Sequence, residues 1–240
     1  MQRYDWARNA AGLTDPAYWR GNLNPRPTVD WYLRYIDEAV LRATGGGGEG
    51  AGKVVLLAHS AGGWLGRVWM DDVDFYDGGM AKAARVARFV TLGSPHRPPP
   101  EGAEGIVDQT RGILSYVERF MPGAFHAEAL GTEYVTVAGT YIKGREWPLG
   151  ERESLLESMP ALAAGLGYKQ VCGDARADGD GITPVACAHL PGDGVLRVDV
   201  EGCYHSPLGA GDGRRWYGEA PHLEQWAQHV DFVLEPASAA

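Results

Sequence analysis

The sequence is short of positive charge. Its 240 residues contain 22 Lys and Arg against 31 Asp and Glu, a formal net charge of −9. Proteins whose main partner is a nucleic acid or an anionic membrane surface present clustered positive charge to it. The acidic balance therefore argues against both kinds of partner.

Cysteine and long apolar runs are also scarce. The three cysteines, Cys172, Cys187 and Cys203, are odd in number and lie late in the chain, which argues against a disulfide framework. We expect reduced thiols, buried as small hydrophobic side chains, in an intracellular protein. No apolar run approaches the length of a membrane span, and residues 1–9 contain no signal-peptide core. A soluble protein without a transmembrane segment is expected.

The strand and helix patterns predict a single α/β domain over residues 1–240. Apolar runs without alternation predict strands buried on both faces of a parallel sheet at 53–58, 88–92, 133–138 and 195–200. Helical periodicity predicts helices at 29–43, with Thr28 as the N-cap, at 64–69 and at 223–234. Alternation of these elements predicts a mostly parallel sheet flanked by helices. Two long stretches, 95–130 and 143–179, interrupt the alternation and are expected to be lid or binding segments.

A serine lies where the first predicted strand meets the next helix. Ser60 is flanked at two residues on either side by Ala58 and Gly62, which are as small as a sharp strand-to-helix turn requires. This is the context of a nucleophile elbow, in which the hydroxyl stands above the sheet edge. The backbone N–H of Ala61 would be one oxyanion donor. The alternative is that Ser60 only caps the helix.

A serine nucleophile needs a histidine base and a carboxylate that orients it. His205 follows the last predicted strand, where the base belongs, whereas the other histidines considered fall in less suitable positions. Asp180 lies in the segment GDGITP before that strand and is the preferred acid. Asp178 repeats the Asp-Gly pattern two residues earlier and stays open as the alternative.

Four segments in this order resemble the α/β-hydrolase superfamily. They are 58–63 (AHSAGG), 91–96 (TLGSPH), 179–184 (GDGITP) and 205–207 (HSP). The nearest resemblance is to lipase- and esterase-like members of plants and algae, akin to GPI-inositol-deacylase-like hydrolases. It implies an α/β-hydrolase fold, no metal or organic cofactor, and a chloroplast location as one option.

The resemblance also implies roles for the residues that match. Ser60 would attack an acyl carbonyl, His205 would transfer the proton, Asp180 would orient His205, and Ala61 would hold the oxyanion. In members of the superfamily, further strands precede the position that corresponds to Tyr4. A loop after one of those strands supplies a second oxyanion N–H. No such strand is found here, so an N-terminally short version of the fold is expected, and one lost donor costs about 10²–10³ in turnover.

The leading hypothesis is a serine hydrolase that cleaves a lipid or small acyl ester, with the acyl chain under the two insertions. A thioesterase or acyltransferase would use the same triad. A small-molecule receptor or scaffold that keeps the fold without catalysis is the alternative of another class.

Overall fold

The computed structural model describes residues 14–46, 52–70, 79–102, 105–147, 154–211 and 213–230. Four sequence features extend beyond these ranges. Outside the described residues lie the segment around Tyr4, residues 103–104 of the first insertion, residues 148–153 of the second insertion and residues 231–234 of the last predicted helix.

The centre of the fold is a four-stranded parallel sheet. Its strands are β1 (Val54–His59), β2 (Val86–Leu92), β3 (Glu133–Thr140) and β6 (Val195–Glu201), in the spatial order β1-β2-β3-β6. A separate antiparallel pair joins β4 (Ile142–Lys143) to β5 (Asp178–Gly179). All four strands predicted from apolar runs are confirmed; β1 is shifted by one residue, and the other three are one or two residues longer than predicted.

The strands were expected to be buried on both faces. This expectation is confirmed for the two inner strands and is wrong for some side chains of the two outer strands. The side chains of β2 and β3 are mostly buried. Leu57 in β1 and Leu196 in β6, by contrast, are 46% and 43% exposed. These two strands lie on the outside of the described sheet, where the described helices leave one face partly uncovered.

Ten helices lie within the described ranges. They are α1 (Pro16–Arg20), α2 (Pro25–Thr28), α3 (Asp30–Ala43), α4 (Ala61–Trp69), α5 (Gly79–Ala83), α6 (Ile113–Phe120), α7 (His126–Leu130), α8 (Leu155–Cys172), α9 (Val185–Ala188) and α10 (His222–Ala227). The predicted N-cap is wrong, because Thr28 ends α2 and Val29 precedes α3. The last helix also ends at Ala227, earlier than the periodicity predicted.

One apolar cluster packs on each face of the sheet. One joins α3, α4 and α6 to the sheet, with Leu33, Trp69 and Phe89 among its buried members. The other packs Tyr217 and Trp226 against the opposite face. Neighbouring residues of a strand belong to different clusters, as Phe89 and Val90 do, because successive side chains of a strand point to opposite faces.

The two insertions differ in how they meet this core. In the first, α6 buries Ile113, Leu114 and Val117 and is part of the core. In the second, α8 leaves Leu156 and Leu166 exposed. Within the described part of the chain, no helix combines the length and apolar character needed to cross a membrane.

Candidate functional site

The candidate site lies at the carboxyl edge of the parallel sheet. Ser60 follows the end of β1, and His205 lies four residues after the end of β6. Asp180 comes directly after β5. Carboxyl ends of parallel strands share one edge of a sheet, so Ser60 and His205 meet there. Asp180 reaches them from the separate antiparallel pair.

Ser60 adopts the strained backbone that the strand-to-helix turn predicts. Its φ is 54° and its ψ is −127°, a region that non-glycine residues rarely occupy. The N–H of Ser60 donates to the carbonyl oxygen of Leu92 at 3.0 Å, which ties the turn to the end of β2. Such strain persists only where the surrounding structure fixes it, and it concentrates at functional sites.

The tightest packing at this turn occurs at Gly63 rather than at Gly62. A Cβ on Gly62 would lie 3.6 Å from the Cβ of Ala58, an ordinary contact. A Cβ on Gly63 would collide with the buried side chain of Ser94 and lie 3.3 Å from the Cγ2 of Thr91. The glycine that lets α4 approach the sheet edge is therefore one residue later than the elbow pattern suggested.

This difference makes a matched pair of alanine variants informative. We expect Gly63→Ala to lower the free energy of unfolding by about 1–3 kcal/mol, because Ser94 must move in a packed core. Gly62→Ala should leave stability unchanged or raise it by up to about 1 kcal/mol, since alanine favours the helix. Urea unfolding of both variants measures the difference. Equal loss in both would contradict the packing derived at Gly63.

A continuous hydrogen-bonded chain joins Ser60, His205 and Asp180. The Nε2 of His205 lies 2.9 Å from the Oγ of Ser60, and its Nδ1 lies 2.7 Å from the Oδ2 of Asp180. His205 and Asp180 are buried, at 6% and 0% exposure. The structure thus brings together the three residues that sequence reasoning selected.

Backbone N–H groups of the loop that follows Asp180 hold one oxygen of its carboxylate. Its Oδ1 accepts hydrogen bonds from the N–H groups of Ile182 and Thr183, at 3.0 and 2.7 Å. The backbone also links the two loops, because the N–H of His205 donates to the carbonyl oxygen of Asp180 at 2.9 Å. Asp178, the open alternative, is exposed and pairs in β5 with Lys143 of β4. The carboxylate that contacts His205 belongs to Asp180.

Tyr217 is a member of the site that sequence reasoning missed. Its hydroxyl donates to the Oδ2 of Asp180 at 2.8 Å and accepts from the N–H of Gly139 at 2.8 Å. The side chain is fully buried. Burial and the nearby Asp180 charge raise the pKa of Tyr217 well above its usual value, so the phenol stays protonated and donates. Asp180 therefore accepts four hydrogen bonds, two on each oxygen.

His59 has a supporting position beside the base. Its Nε2 lies 2.8 Å from the carbonyl oxygen of His205, so this nitrogen carries the proton and donates. Burial is the main reason that the pKa of His59 is lowered, and the nearby His205 lowers it further. A neutral His59 therefore anchors the backbone of His205.

Two other histidines are engaged elsewhere. The Nε2 of His96 lies 2.9 Å from the Oγ1 of Thr91 in the core, and burial lowers its pKa well below the usual value. His189 pairs with Asp199 at 2.9 Å, on the strand β6. Neither of these contacts involves Ser60.

The predicted oxyanion donor begins the helix after the nucleophile. Ala61 is the first residue of α4. The first N–H groups of a helix have no acceptor within the helix and carry partial positive charge. A negatively charged oxygen near Ser60 would meet this end of the helix. The expected absence of a segment that supplies a second donor stays a prediction, because residues 1–13 lie outside the described residues.

No protein-family model matches the sequence, and no curated protein matches it significantly. The chemistry of the site is therefore inferred from its geometry.

Proposed function

We propose that this protein is a serine hydrolase of the α/β-hydrolase fold that cleaves carboxylic esters through an acyl-enzyme intermediate. Ser60 is the nucleophile, His205 the base and acid, Asp180 the orienting carboxylate, and Ala61 one oxyanion donor. The observation that carries the proposal is the Ser60–His205–Asp180 hydrogen-bonded chain, with distances of 2.9 and 2.7 Å and with His205 and Asp180 buried. Each member has the partner that its role requires.

The hydrogen bond to Asp180 selects the tautomer of His205. With its proton on Nδ1, the imidazole donates to the carboxylate at 2.7 Å and leaves Nε2 free to accept. Nε2 lies 2.9 Å from Oγ of Ser60, within reach of the proton that it must take. The acceptor nitrogen of the base is thus aimed at the nucleophile before substrate arrives.

Acylation follows from this geometry. Oγ of Ser60 forms a bond to the acyl carbon while its proton passes to Nε2 of His205, and the carbonyl electron pair moves onto oxygen. The N–H of Ala61 stabilises that oxygen. When the carbonyl re-forms, the bond to the alcohol oxygen breaks, and Nε2 returns the proton to the leaving alkoxide.

Deacylation repeats the sequence with water. His205 removes a proton from water, whose oxygen attacks the acyl-enzyme, and the proton then returns to Oγ of Ser60. Asp180 stays ionised and stabilises the imidazolium in both halves, with its charge held by four hydrogen bonds.

The direct test is covalent labelling with a fluorophosphonate, which reacts with activated serine hydroxyls. We expect the parent protein to be labelled on Ser60 and Ser60→Ala to remain unlabelled. The matched control is Ser206→Ala, because Ser206 neighbours His205 while its Oγ accepts from the N–H of Leu208 at 3.0 Å. This control should be labelled like the parent.

Two results would overturn the proposal. One is equal labelling of Ser60→Ala and the parent, which would place the reactive serine elsewhere. The other is no labelling of the parent when its cooperative unfolding shows that it is folded, which would favour a binding protein. If Ser60 is labelled, initial rates of hydrolysis of nitrophenyl esters of increasing acyl length would define the preferred acyl group. The rate with a matched thioester would show whether esters or thioesters are preferred.

A further inference from the structure

Two cysteines meet where α8 and α9 come together. Sγ of Cys187, in α9, lies 3.8 Å from the carbonyl oxygen of Val171, which is the residue before Cys172 at the end of α8. Sγ of Cys172 lies 3.6 Å from the carbonyl oxygen of Asp174, and the two thiols are near enough for each to shift the pKa of the other. Both are free cysteines in this structure.

The two thiols differ in their access to solvent. Cys172 is half-buried, so the expectation that all three cysteines are buried is wrong for this one, whereas Cys187 is 4% exposed. The neighbouring thiol of Cys187 is the main cause that lowers the pKa of Cys172 to about 7. The neighbouring Cys172 and burial together raise the pKa of Cys187. An accessible thiolate beside a sheltered thiol is the arrangement in which an oxidised cysteine meets a resolving cysteine.

We propose that Cys172 and Cys187 are a redox modification site, which a hydroperoxide converts to a reversible intramolecular disulfide. The Cys172 thiolate attacks a peroxide oxygen, the O–O bond breaks, and Cys172 becomes a sulfenic acid as the peroxide is reduced to water or an alcohol. Sγ of Cys187 then attacks Sγ of Cys172, the S–O bond breaks, and the thiol proton leaves with hydroxide as water. A thiol reductant then reduces the disulfide to two free thiols by thiol–disulfide exchange.

The bond would join the second insertion to the loop that carries the candidate acid. Cys172 is the last residue of α8, and Cys187 lies in α9, which begins directly after Pro184 at the end of the GDGITP segment. The disulfide would require the two sulfurs to close to about 2 Å. Cys203 lies apart from the pair, fully buried, with its Sγ 3.8 Å from the carbonyl oxygen of Tyr204.

The test is mass spectrometry of the folded protein after hydrogen peroxide treatment and alkylation of the remaining thiols. We expect the parent to lose the mass of two hydrogen atoms, with Cys172 and Cys187 in one cross-linked peptide, and to recover its mass with dithiothreitol. Cys172→Ser and Cys187→Ser should not form this cross-link. In Cys187→Ser, dimedone should trap the sulfenic acid on Cys172. Cys203→Ser, the matched control, should form the cross-link like the parent.

Three outcomes would overturn the proposal. They are oxygen addition at Cys172 of the parent without a cross-link, a bond that involves Cys203, and a disulfide only between two chains. The readout is mass rather than ester turnover, so failure here is distinguishable from failure of the hydrolase proposal.

Discussion

Asp180→Asn is expected to lower kcat/KM for a hydrolysed ester by about 10⁴-fold, because it reverses the tautomer of the base. The amide oxygen of the new side chain would stay where Oδ1 accepts the N–H groups of Ile182 and Thr183. Its NH₂ would then face Nδ1 of His205, where Oδ2 now accepts. Nδ1 would become an acceptor and Nε2 would carry the proton, so His205 could no longer take the proton of Ser60.

Asp178→Asn is the matched control for this variant. It makes the same chemical change two residues away, on an exposed side chain in β5, and should leave kcat/KM unchanged. Steady-state ester hydrolysis by both variants, with urea unfolding to show that each is folded, measures the contrast. A large loss in Asp178→Asn with none in Asp180→Asn would mean that the acid is assigned to the wrong residue.

The choice between these two aspartates shows where sequence reasoning stops. Both precede a glycine within one turn-rich segment, so local pattern favours Asp180 without excluding Asp178. What separates them is the pairing of Asp178 with Lys143 across β4 and β5. That pairing joins segments 35 residues apart through a strand of two residues, too short to give a periodic signal.

The parts of the site that could be predicted depend on local pattern. The strand, the small residues and the helix around Ser60 are contiguous, and the loop of His205 follows a readable strand. Tyr217 and His59 could not be selected in the same way. Their bonds to Asp180 and His205 span 37 and 146 residues, and no spacing rule connects them. No local sequence pattern around a tyrosine or a histidine identifies the distant group to which it forms a hydrogen bond.

Gly93 is closely packed against the acid and the base of the site. It follows the end of β2 with a φ of 53°, and the space where a Cβ would stand is occupied. That Cβ would collide with Oδ2 of Asp180 and would lie 2.8 Å from the hydroxyl of Tyr217 and 3.1 Å from Nδ1 of His205. A methyl group would therefore enter the hydrogen bonds that orient the base.

Gly93→Ala is accordingly expected to lower both stability and activity. Gly131→Ala serves as a control that separates the backbone cost of a positive φ from the cost of the collision. Gly131 has a similar φ of 66° with nothing within 4 Å of an added Cβ, so its variant should lose only the backbone cost of about 1–2 kcal/mol. Gly93→Ala adds a collision worth about 1–3 kcal/mol, and displacement of Asp180 should reduce kcat/KM by about 10²-fold or more. Urea unfolding and ester hydrolysis measure both effects. If Gly93→Ala matched Gly131→Ala in stability and kept full activity, the close packing around Asp180 would be refuted, because an alanine cannot fit there unless the carboxylate, the phenol or the imidazole moves.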